Sequence, residues 1–441
     1  MSNNLIRKPK VSVGQENPFP VNPSVVPYSD DIRVNGSIFL ESIRQEEIKA
    51  FHEHIVNSPN QIGLMMDYAA YKGRGIGKTA FLNYMKKSIN KDLGDEISDG
   101  KSVIYAVYVA PSADNRNRTL SQVAHSIFTS MHKEGLFLTV FCRLRALSGL
   151  LDDVIDETIT ENNYEETIAN DAWLCDKGID VSAVNSFVSK ELVKAGLVDE
   201  DVSLFSGTYS RFTEALSINP SEFFWKREGL FFLFEKVEKL LKAAMFTNCI
   251  ILLDEAEKMI QYQNFNERRA FCENLRTYFI DGNNSNAIDG FFKILLTIHP
   301  NSQELLMPHW AAAGLDRFCS LGGNTSSENT IFFKPMSNEP NMIRALAEIY
   351  LKASRINKTD SSISPFTQEA IDYAMEKSAF IPGRFLKYLY ILIEKSIKNN
   401  WTEIDKKQVE ITLDEGTNYL ALEKPVENAS IEELPPTKVQ L

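Results

Sequence analysis

The sequence predicts an α/β fold in which a parallel sheet is surrounded by helices and followed by an all-helical segment. As far as Pro335, apolar strand-like runs alternate with stretches of helical spacing, a pattern typical of parallel sheets. Beyond Pro335 only helical spacing remains. The strand-like runs are 62–67, 103–109, 249–253, 294–298 and 330–333.

Composition narrows the class of protein. The chain has 441 residues, 44% of them hydrophobic and 24% charged, which indicates a soluble globular protein of about two or three domains. Its net charge of −12 argues against dense, non-specific coating of nucleic acid. The cysteines are scattered without a C-x-x-C pair, which predicts no disulfide or zinc framework. No signal-like or membrane-spanning apolar run is present, so we expect a cytoplasmic protein without a membrane partner.

A glycine-rich loop follows the first predicted strand, where residues 72–79 read KGRGIGKT. Gly73, Gly75 and Gly77 carry no side chain, so backbone N–H groups of the loop can turn toward the oxygens of a phosphate. Residues 80–89 have helical spacing, and the N-terminus of a helix favours a bound anion. Strand, glycine loop and helix in this order predict a site for nucleotide phosphates.

Two side chains at the end of this loop have the chemistry of a nucleotide site. Lys78 can reach the β- and γ-phosphates of ATP, and the Thr79 hydroxyl can ligate Mg²⁺. The loop departs from G-x-x-x-x-G-K-[ST] at Lys72, so either Gly73 takes the turn one residue later or Lys72 tolerates the geometry. The alternative is a glycine-rich turn without a ligand. The predicted nucleotide-binding residues are Gly73, Gly75, Ile76, Gly77, Lys78, Thr79 and Ala80.

A second motif, CIILLDEAE, occupies residues 249–257. Its apolar run suits a parallel strand buried on both faces, and it ends in two acids. If this strand lies next to the phosphate loop, Asp254 can hold the water shell of Mg²⁺. Glu255 can polarise a water for attack on the γ-phosphate. The alternative is a core strand followed by an acidic helix N-terminus; with both motifs present in order, the sequence predicts ATP binding and hydrolysis.

Composition and spacing also divide the chain. The predicted order is an extended arm at 1–35, an α/β nucleotide-binding core at 36–336 with a helical insertion at about 136–230, a helical domain at 337–420 and a disordered tail at 421–441. Predicted helices include 37–56 before the first strand, 144–155, 181–197 and 231–245 between the second strand and Asp254, and 342–356, 367–377, 382–398 and 406–413 at the end.

A P-loop α/β core followed by a small helical domain resembles the AAA+ ATPases, over about residues 36–420. The two motifs fall in the family's order, as Walker A and Walker B, and a strand, an arginine and a helical lid follow. The resemblance implies oligomers with ATP bound at subunit interfaces. It implies that His299, or alternatively Thr297, is the sensor residue at the end of the strand within FKILLTIHP.

Two arginines match further positions of that family. Arg317, in GLDRF, matches the arginine finger, which acts on the ATP of a neighbouring subunit, and the alternative is a surface ion pair. Arg384, in FIPGRFLKYL, matches the lid arginine that reaches the phosphates of its own subunit, and the alternative is an ordinary helix-start arginine.

A narrower resemblance concerns the segments DEAE, ERRAFCENLRTYFID, T-x-H-P and FFKPMSNEP. Together they are similar to initiator-type and STAND-related AAA+ ATPases, and to the ATP-binding proteins of bacterial phage-defence islands of the BREX type. This resemblance implies an ATPase that remodels or loads a partner on DNA, with a protein partner or effector encoded nearby. The alternatives are a STAND-like switch that oligomerises with ATP, and a scaffold that no longer hydrolyses ATP.

DNA is a candidate partner because arginine pairs occur at two places. Arg116 and Arg118 follow the second predicted strand, and Arg143 and Arg145 lie on the predicted insertion. Such arginines can contact phosphates and would make binding sensitive to salt. The alternative, which we favour, is that both pairs belong to a solvated surface.

Overall fold

The computed structural model describes eleven segments: 17–22, 29–67, 75–91, 103–111, 118–151, 164–217, 228–282, 284–321, 329–334, 340–355 and 363–415. These residues form two compact units. The first holds the described residues from 29 to 334, and the second holds 17–22 together with 340–415. Lys72, Gly73, Arg116 and the predicted tail 421–441 lie outside the described residues.

A five-stranded parallel sheet forms the centre of the first unit, in the order β2-β3-β4-β1-β5. This confirms the α/β part of the predicted fold class. The strand that carries Asp254 is not the neighbour of β1, because β4 lies between them. The strands are β1 (Ile62–Asp67), β2 (Val103–Val109), β3 (Phe246–Leu253), β4 (Phe292–Ile298) and β5 (Thr330–Phe333).

The sheet has a hydrophobic core on each face. Successive residues of a strand point to opposite faces, so Leu64 and Met66 of β1 belong to one core and Met65 belongs to the other. The larger core is covered by helices that follow β2 and β3. The smaller core includes Phe81 and Leu82 of the helix after the glycine loop. Burial on both faces explains why the strands read as continuous apolar runs.

The helices of the first unit mostly lie between β2 and β3, where the sequence predicts an insertion. Those outside this interval are α1 (Gln45–Phe51) and α2 (Lys78–Asn90) before β2, and α12 (Ala256–Tyr262), α13 (Phe265–Phe279), α14 (Ser285–Asp289) and α15 (Pro300–Ala312) after β3. Those between β2 and β3 are α3 (Leu120–Lys133), α4 (Leu136–Ala146), α5 (Tyr164–Ile168), α6 (Asp171–Asp176), α7 (Val181–Lys194), α8 (Asp199–Phe205), α9 (Tyr209–Ala215), α10 (Glu228–Phe231) and α11 (Glu238–Ala243), with the π-helical segment Phe232–Val237 joining the last two.

Two predicted helices differ from the structure. The helix predicted over 37–56 is interrupted at Arg44, whose φ of −134° is not helical. A 3-10 turn at Glu41–Ile43 precedes this break. After it, α1 runs from Gln45 to Phe51 and continues as a π-helical segment at His52–Val56. The helix predicted over 144–155 is wrong, because α4 ends at Ala146 and the chain turns at Gly149 with a φ of 68°. Apolar spacing there continues past the end of the helix, since Leu151 is still buried.

The second unit consists of α16 (Pro340–Ser354), α17 (Gln368–Lys377), α18 (Pro382–Asn399) and α19 (Lys406–Glu415), in agreement with the predicted helical spacing. The Thr367 side chain caps α17 by accepting a hydrogen bond from the Ala370 N–H. Part of the predicted N-terminal arm packs here: Phe19 is fully buried, and its ring lies 6.1 Å from that of Tyr350. Asn17 donates to the Tyr390 carbonyl at 3.0 Å.

Two further observations concern the described residues as a whole. None of their helices combines the length and the apolarity that crossing a bilayer requires. All five cysteines are free, and Cys249 is buried within β3, where a small thiol packs like an apolar side chain.

Candidate functional site

The described end of the glycine loop has the backbone geometry that only glycine adopts without strain. Gly75 and Gly77 have φ values of 96° and 98°. A Cβ on Gly77 would meet no atom within 4 Å, so the requirement is conformational and not steric. The Gly77 carbonyl accepts the first hydrogen bond of α2, from the Phe81 N–H at 2.9 Å. Lys78 and Thr79 are therefore the first two residues of that helix, as predicted from the order of strand, loop and helix.

Asp254 is the centre of a buried hydrogen-bonded cluster, which we call the Asp254 cluster: Thr79, Tyr108, Asp254, Thr297 and the Glu255 N–H. Its Oδ2 accepts from the Thr79 hydroxyl at 2.6 Å and from the Tyr108 hydroxyl at 2.9 Å. Its Oδ1 accepts from the Thr297 hydroxyl at 2.9 Å and from the Glu255 N–H at 2.8 Å. The side chain is 1% exposed. The structure thus joins Thr79 and Asp254, the two predicted metal ligands.

The register of the sheet explains why these residues meet. The strands are parallel, so their carboxyl ends lie at one edge, where ligands of open α/β sheets bind. Leu253 of β3 pairs with Leu296 of β4, and the next residues, Asp254 and Thr297, therefore lie side by side. Tyr108 approaches Asp254 from the end of β2.

Glu255 has an unusual backbone conformation, with φ of 49° and ψ of 39°. A left-handed conformation costs a residue other than glycine about 1–3 kcal/mol and occurs mostly at functional sites. The Glu255 N–H, which is shared between Asp254 and the Thr297 hydroxyl (2.6 Å), holds the conformation in place. The Glu255 carboxylate is partly exposed and forms an ion pair with Lys258, one turn later in α12.

A further carboxyl group lies close to this cluster. Burial raises the pKa of Glu257 above its ordinary value, while the Glu257 N–H and the charge of Lys78 oppose the rise. The charges of Asp254 and Glu255 add to the rise. Glu257 is thus near enough to Lys78, Asp254 and Glu255 to interact with their charges, and the site combines a cation, carboxylates and the glycine loop at one edge of the sheet.

The two sensor candidates occupy different surroundings. The Thr297 hydroxyl is buried and bonds both Asp254 and the Glu255 N–H. His299 follows β4 and is half-buried, and its carbonyl accepts from Ser302 and Gln303 at the start of α15. The side chain that the structure brings to Asp254 is therefore that of Thr297. The sequence left both residues open because its spacing alone does not give the register between β3 and β4.

The predicted finger, Arg317, lies in a 3-10 turn at Leu315–Arg317 and is exposed. It has no hydrogen-bond or ion-pair partner among the residues that the structure describes. The arginines of α13 are engaged: Arg269 pairs with Glu273 at 2.7 Å, and Arg276 donates to Asp281 and to the Ala313 carbonyl. Arg317 thus differs from them in having its guanidinium available.

Arg384, the predicted lid arginine, lies in the first turn of α18 in the second unit. It is half-buried, and within the described part of the chain its buried Nε has no hydrogen-bond partner. The glycine loop belongs to the first unit. The role of Arg384 stays a prediction.

Two of the arginines considered as DNA contacts are buried, although we expected them to lie on a solvated surface. Arg143 and Arg145 are 0% and 1% exposed, so the interpretation as a solvated pair is wrong. Arg143 donates to the Ala244 carbonyl at 2.6 Å, and Arg145 donates to the Ile168 carbonyl at 3.0 Å. Both guanidinium groups donate to backbone carbonyls of residues between β2 and β3, which leaves Arg118 as the described candidate for a phosphate contact.

Sequence reasoning missed three residues of this region. Tyr108 carries no local signal, since an aromatic residue in an apolar run reads as core. Lys258 lies just beyond the acidic motif at 249–257, and a single lysine there gives no sign of its partner. Arg44 donates to the Ile76 carbonyl of the glycine loop at 2.8 Å, although the two lie in segments separated by β1. Nothing in the spacing of the sequence indicates that contact.

No protein-family model matches the chain, and no curated protein matches it in sequence. The function is therefore inferred from the Asp254 cluster and the loop beside it.

Proposed function

We propose that this chain is a P-loop ATPase of the AAA+ type that binds Mg·ATP at the glycine loop and hydrolyses it at an interface between subunits. The observation that carries the proposal is the 2.6 Å hydrogen bond between Thr79 and Asp254, which lie 175 positions apart. Each residue belongs to a motif that predicts one half of a nucleotide site. Their direct contact supports a single site.

The oxygens of this pair fit Mg²⁺. That ion prefers hard oxygen ligands and in nucleotide sites uses one or two carboxylates together with phosphates and water. Among the described residues no group of three or more His, Cys, Asp or Glu side chains is arranged to hold a metal, so phosphate oxygens would complete the shell. When bound, the ion would neutralise charge on the phosphates. Thr79 can offer it a lone pair while still donating its proton to Asp254.

The remaining groups have clear roles in hydrolysis. The Lys78 ammonium would bind the β- and γ-phosphate oxygens, with backbone N–H groups of the loop around them. Glu255 would accept a proton from water as the water oxygen bonds to the γ-phosphorus. The bond to the β–γ bridging oxygen breaks, which gives ADP and phosphate. Thr297 would hold Glu255 and Asp254 in register, and His299 is the alternative sensor.

The exposed Arg317 supports action across a subunit interface, because a finger must project from its own chain. Its guanidinium would spread positive charge over the γ-phosphate of a neighbouring copy. Arg384 would reach the phosphates of its own subunit. On the resemblance to phage-defence ATPases, the cycle would remodel or load a protein partner on DNA in the bacterial cytoplasm.

One observation favours a second candidate, a STAND-like switch that binds ATP, hydrolyses it slowly and oligomerises to recruit an effector. The Glu255 carboxylate is paired with Lys258. A carboxylate oxygen that accepts from an ammonium is less available to the proton of a water, so turnover would rise when a partner or a neighbouring subunit breaks the pair.

Turnover measured together with assembly tests both candidates. Phosphate release would be followed with and without DNA, and particle mass by light scattering with ADP and with ATP. Rapid hydrolysis that DNA stimulates supports the remodelling ATPase. Slow hydrolysis with assembly only in ATP supports the switch. A protein that does not bind ATP contradicts both.

A further inference from the structure

Arg44 is a buried cation at the carboxyl edge of the sheet, 3% exposed. Its guanidinium makes three hydrogen bonds: Nη2 to the Ile76 carbonyl at 2.8 Å, and Nη1 to the Lys334 carbonyl at 2.7 Å and to Glu47 Oε1 at 2.9 Å. Its Cζ also lies 3.8 Å from the centre of the Phe333 ring. A planar group with several fixed donors can bridge acceptors on different segments, whereas a lysine ammonium on a flexible chain cannot fix them together.

The two carbonyls belong to segments with different positions in the chain. Ile76 lies in the glycine loop, immediately before Gly77 and Lys78. Lys334 follows β5 and is the last described residue of the first unit before the chain continues to α16. Glu47 Oε1 also accepts from the Lys334 N–H at 3.2 Å. Arg44 and Glu47 together therefore hold both backbone polar groups of Lys334.

The bond to Ile76 also fixes the direction of the next N–H group. In a trans peptide the carbonyl oxygen and the following N–H point in opposite directions. A carbonyl of Ile76 that is held by Arg44 therefore turns the Gly77 N–H away from Arg44. Gly77 has the left-handed conformation that ends the loop and begins α2, and its N–H is one of the groups that would face a phosphate.

We propose that Arg44 is a positioning residue that orients the Gly77 N–H for a phosphate and couples the loop to the end of β5. Movement of Ile76 on nucleotide binding would pass through the guanidinium and Glu47 to Lys334. This inference rests on the proposed nucleotide site. Arg44 is distant in sequence from both motifs. If Arg44 only capped carbonyls, its substitution would change neither the affinity for the nucleotide nor the effect of the nucleotide on Lys334.

The first test compares ATP affinity in the parent protein, Arg44→Lys and Arg33→Met by calorimetry. Arg33 is the control because it lies in the same N-terminal segment and pairs with Asp31 at a partly exposed site. Loss of a charged hydrogen bond to a buried carbonyl predicts a Kd for ATP that rises about tenfold in Arg44→Lys. Arg33→Met should bind like the parent. If a folded Arg44→Lys binds ATP as tightly as the parent, only the role of Arg44 is overturned. If the parent protein itself does not bind ATP, the nucleotide site is overturned.

The second test does not require Arg44→Lys to fold. Glu47→Ala removes the acceptor of the Lys334 N–H, the group whose exchange is measured, while Arg44 can still donate to the carbonyls of Ile76 and Lys334. Hydrogen exchange would be compared with and without ATP for the peptides that contain Ile76 and Lys334. In the parent we expect ATP to slow exchange at both peptides. In Glu47→Ala we expect ATP to slow exchange only at the peptide that contains Ile76. Two results would contradict the coupling: equal slowing of exchange at Lys334 in both proteins, or no slowing at Lys334 in the parent.

Discussion

Two buried polar clusters in the first unit hold their charges in different ways. In the Asp254 cluster, hydroxyl groups from α2, β2 and β4 surround a carboxylate that is 1% exposed. In the insertion, Arg143 and Arg145 are equally buried, but they donate to backbone carbonyls at Ala244 and Ile168, and Arg145 also pairs with Asp171 at 2.5 Å.

The two clusters differ in whether the groups bonded to the buried charge can still bind a ligand. A threonine hydroxyl that donates to Asp254 keeps lone pairs for a metal ion, and the cluster adjoins a loop of glycines. The carbonyls bonded by Arg143 and Arg145 belong to buried residues between β2 and β3, where the cations satisfy backbone groups. Changes in the Asp254 cluster and its surroundings should therefore alter activity, and changes in the arginine cluster should alter stability.

The largest expected effect comes from Lys78→Ala. It removes the ammonium from the phosphate site, and we expect loss of measurable ATP binding in calorimetry with little change in the thermal unfolding of the free protein. Lys87→Ala, on the same helix α2, is the matched control and should bind ATP normally. Unchanged ATP affinity in Lys78→Ala would contradict the nucleotide site.

Arg317→Ala should leave ATP binding intact and lower the rate of hydrolysis. Arginine fingers contribute about 10³–10⁵-fold to the rate in P-loop enzymes. Phosphate release at saturating ATP measures the effect, with Arg211→Ala, an exposed arginine of the insertion, as the control. A parent rate in Arg317→Ala would move the finger to another residue, with Arg268, Arg269 and Arg276 as the next candidates.

Glu255→Gln should keep ATP bound and slow hydrolysis by about 10²–10⁴-fold, because an amide cannot accept the proton of the attacking water. The exposed Glu273→Gln serves as the control. Mixing Glu255→Gln with Arg317→Ala should restore part of the activity, since some interfaces then combine an intact carboxylate with an intact arginine. Absence of rescue in a verified mixed oligomer would speak against catalysis across the interface.

Arg145→Met should destabilise the first unit without changing ATP affinity. It leaves the Ile168 carbonyl without its charged donor, and an unsatisfied buried group costs about 1–3 kcal/mol. Denaturant unfolding gives the free energy, and the exposed Arg211→Met is the matched control in the insertion. A loss of ATP affinity in folded Arg145→Met would remove the distinction between the two clusters.

Lys258→Ala has the smallest expected effect. An ion pair between residues three apart on a helix is worth about 0.2–0.5 kcal/mol, so freeing Glu255 should raise turnover about twofold. Steady-state phosphate release in the parent and the variant measures it, with Lys236→Ala, in the π-helical segment Phe232–Val237, as the control. A fall in turnover would mean that Lys258 assists the reaction and does not restrain Glu255.

The sequence by itself determined the features that are written in neighbouring residues. The strand runs, the glycine loop with Lys78 and Thr79, the acidic pair after β3 and the helices of the second unit follow from local spacing and from side-chain chemistry. The positive φ of Gly77 is local in the same sense, because only glycine adopts it without strain.

The tertiary structure decided which distant residues meet. The position of β4 between β1 and β3, the register that sets Thr297 beside Asp254, and the approach of Tyr108 depend on strand pairing across the sheet. Spacing also gave no sign that Arg143 and Arg145 are buried or that Arg44 reaches Ile76. A side chain's partners are fixed by packing between segments far apart in the chain, and the chemistry of a polar group depends on those partners as much as on its own type.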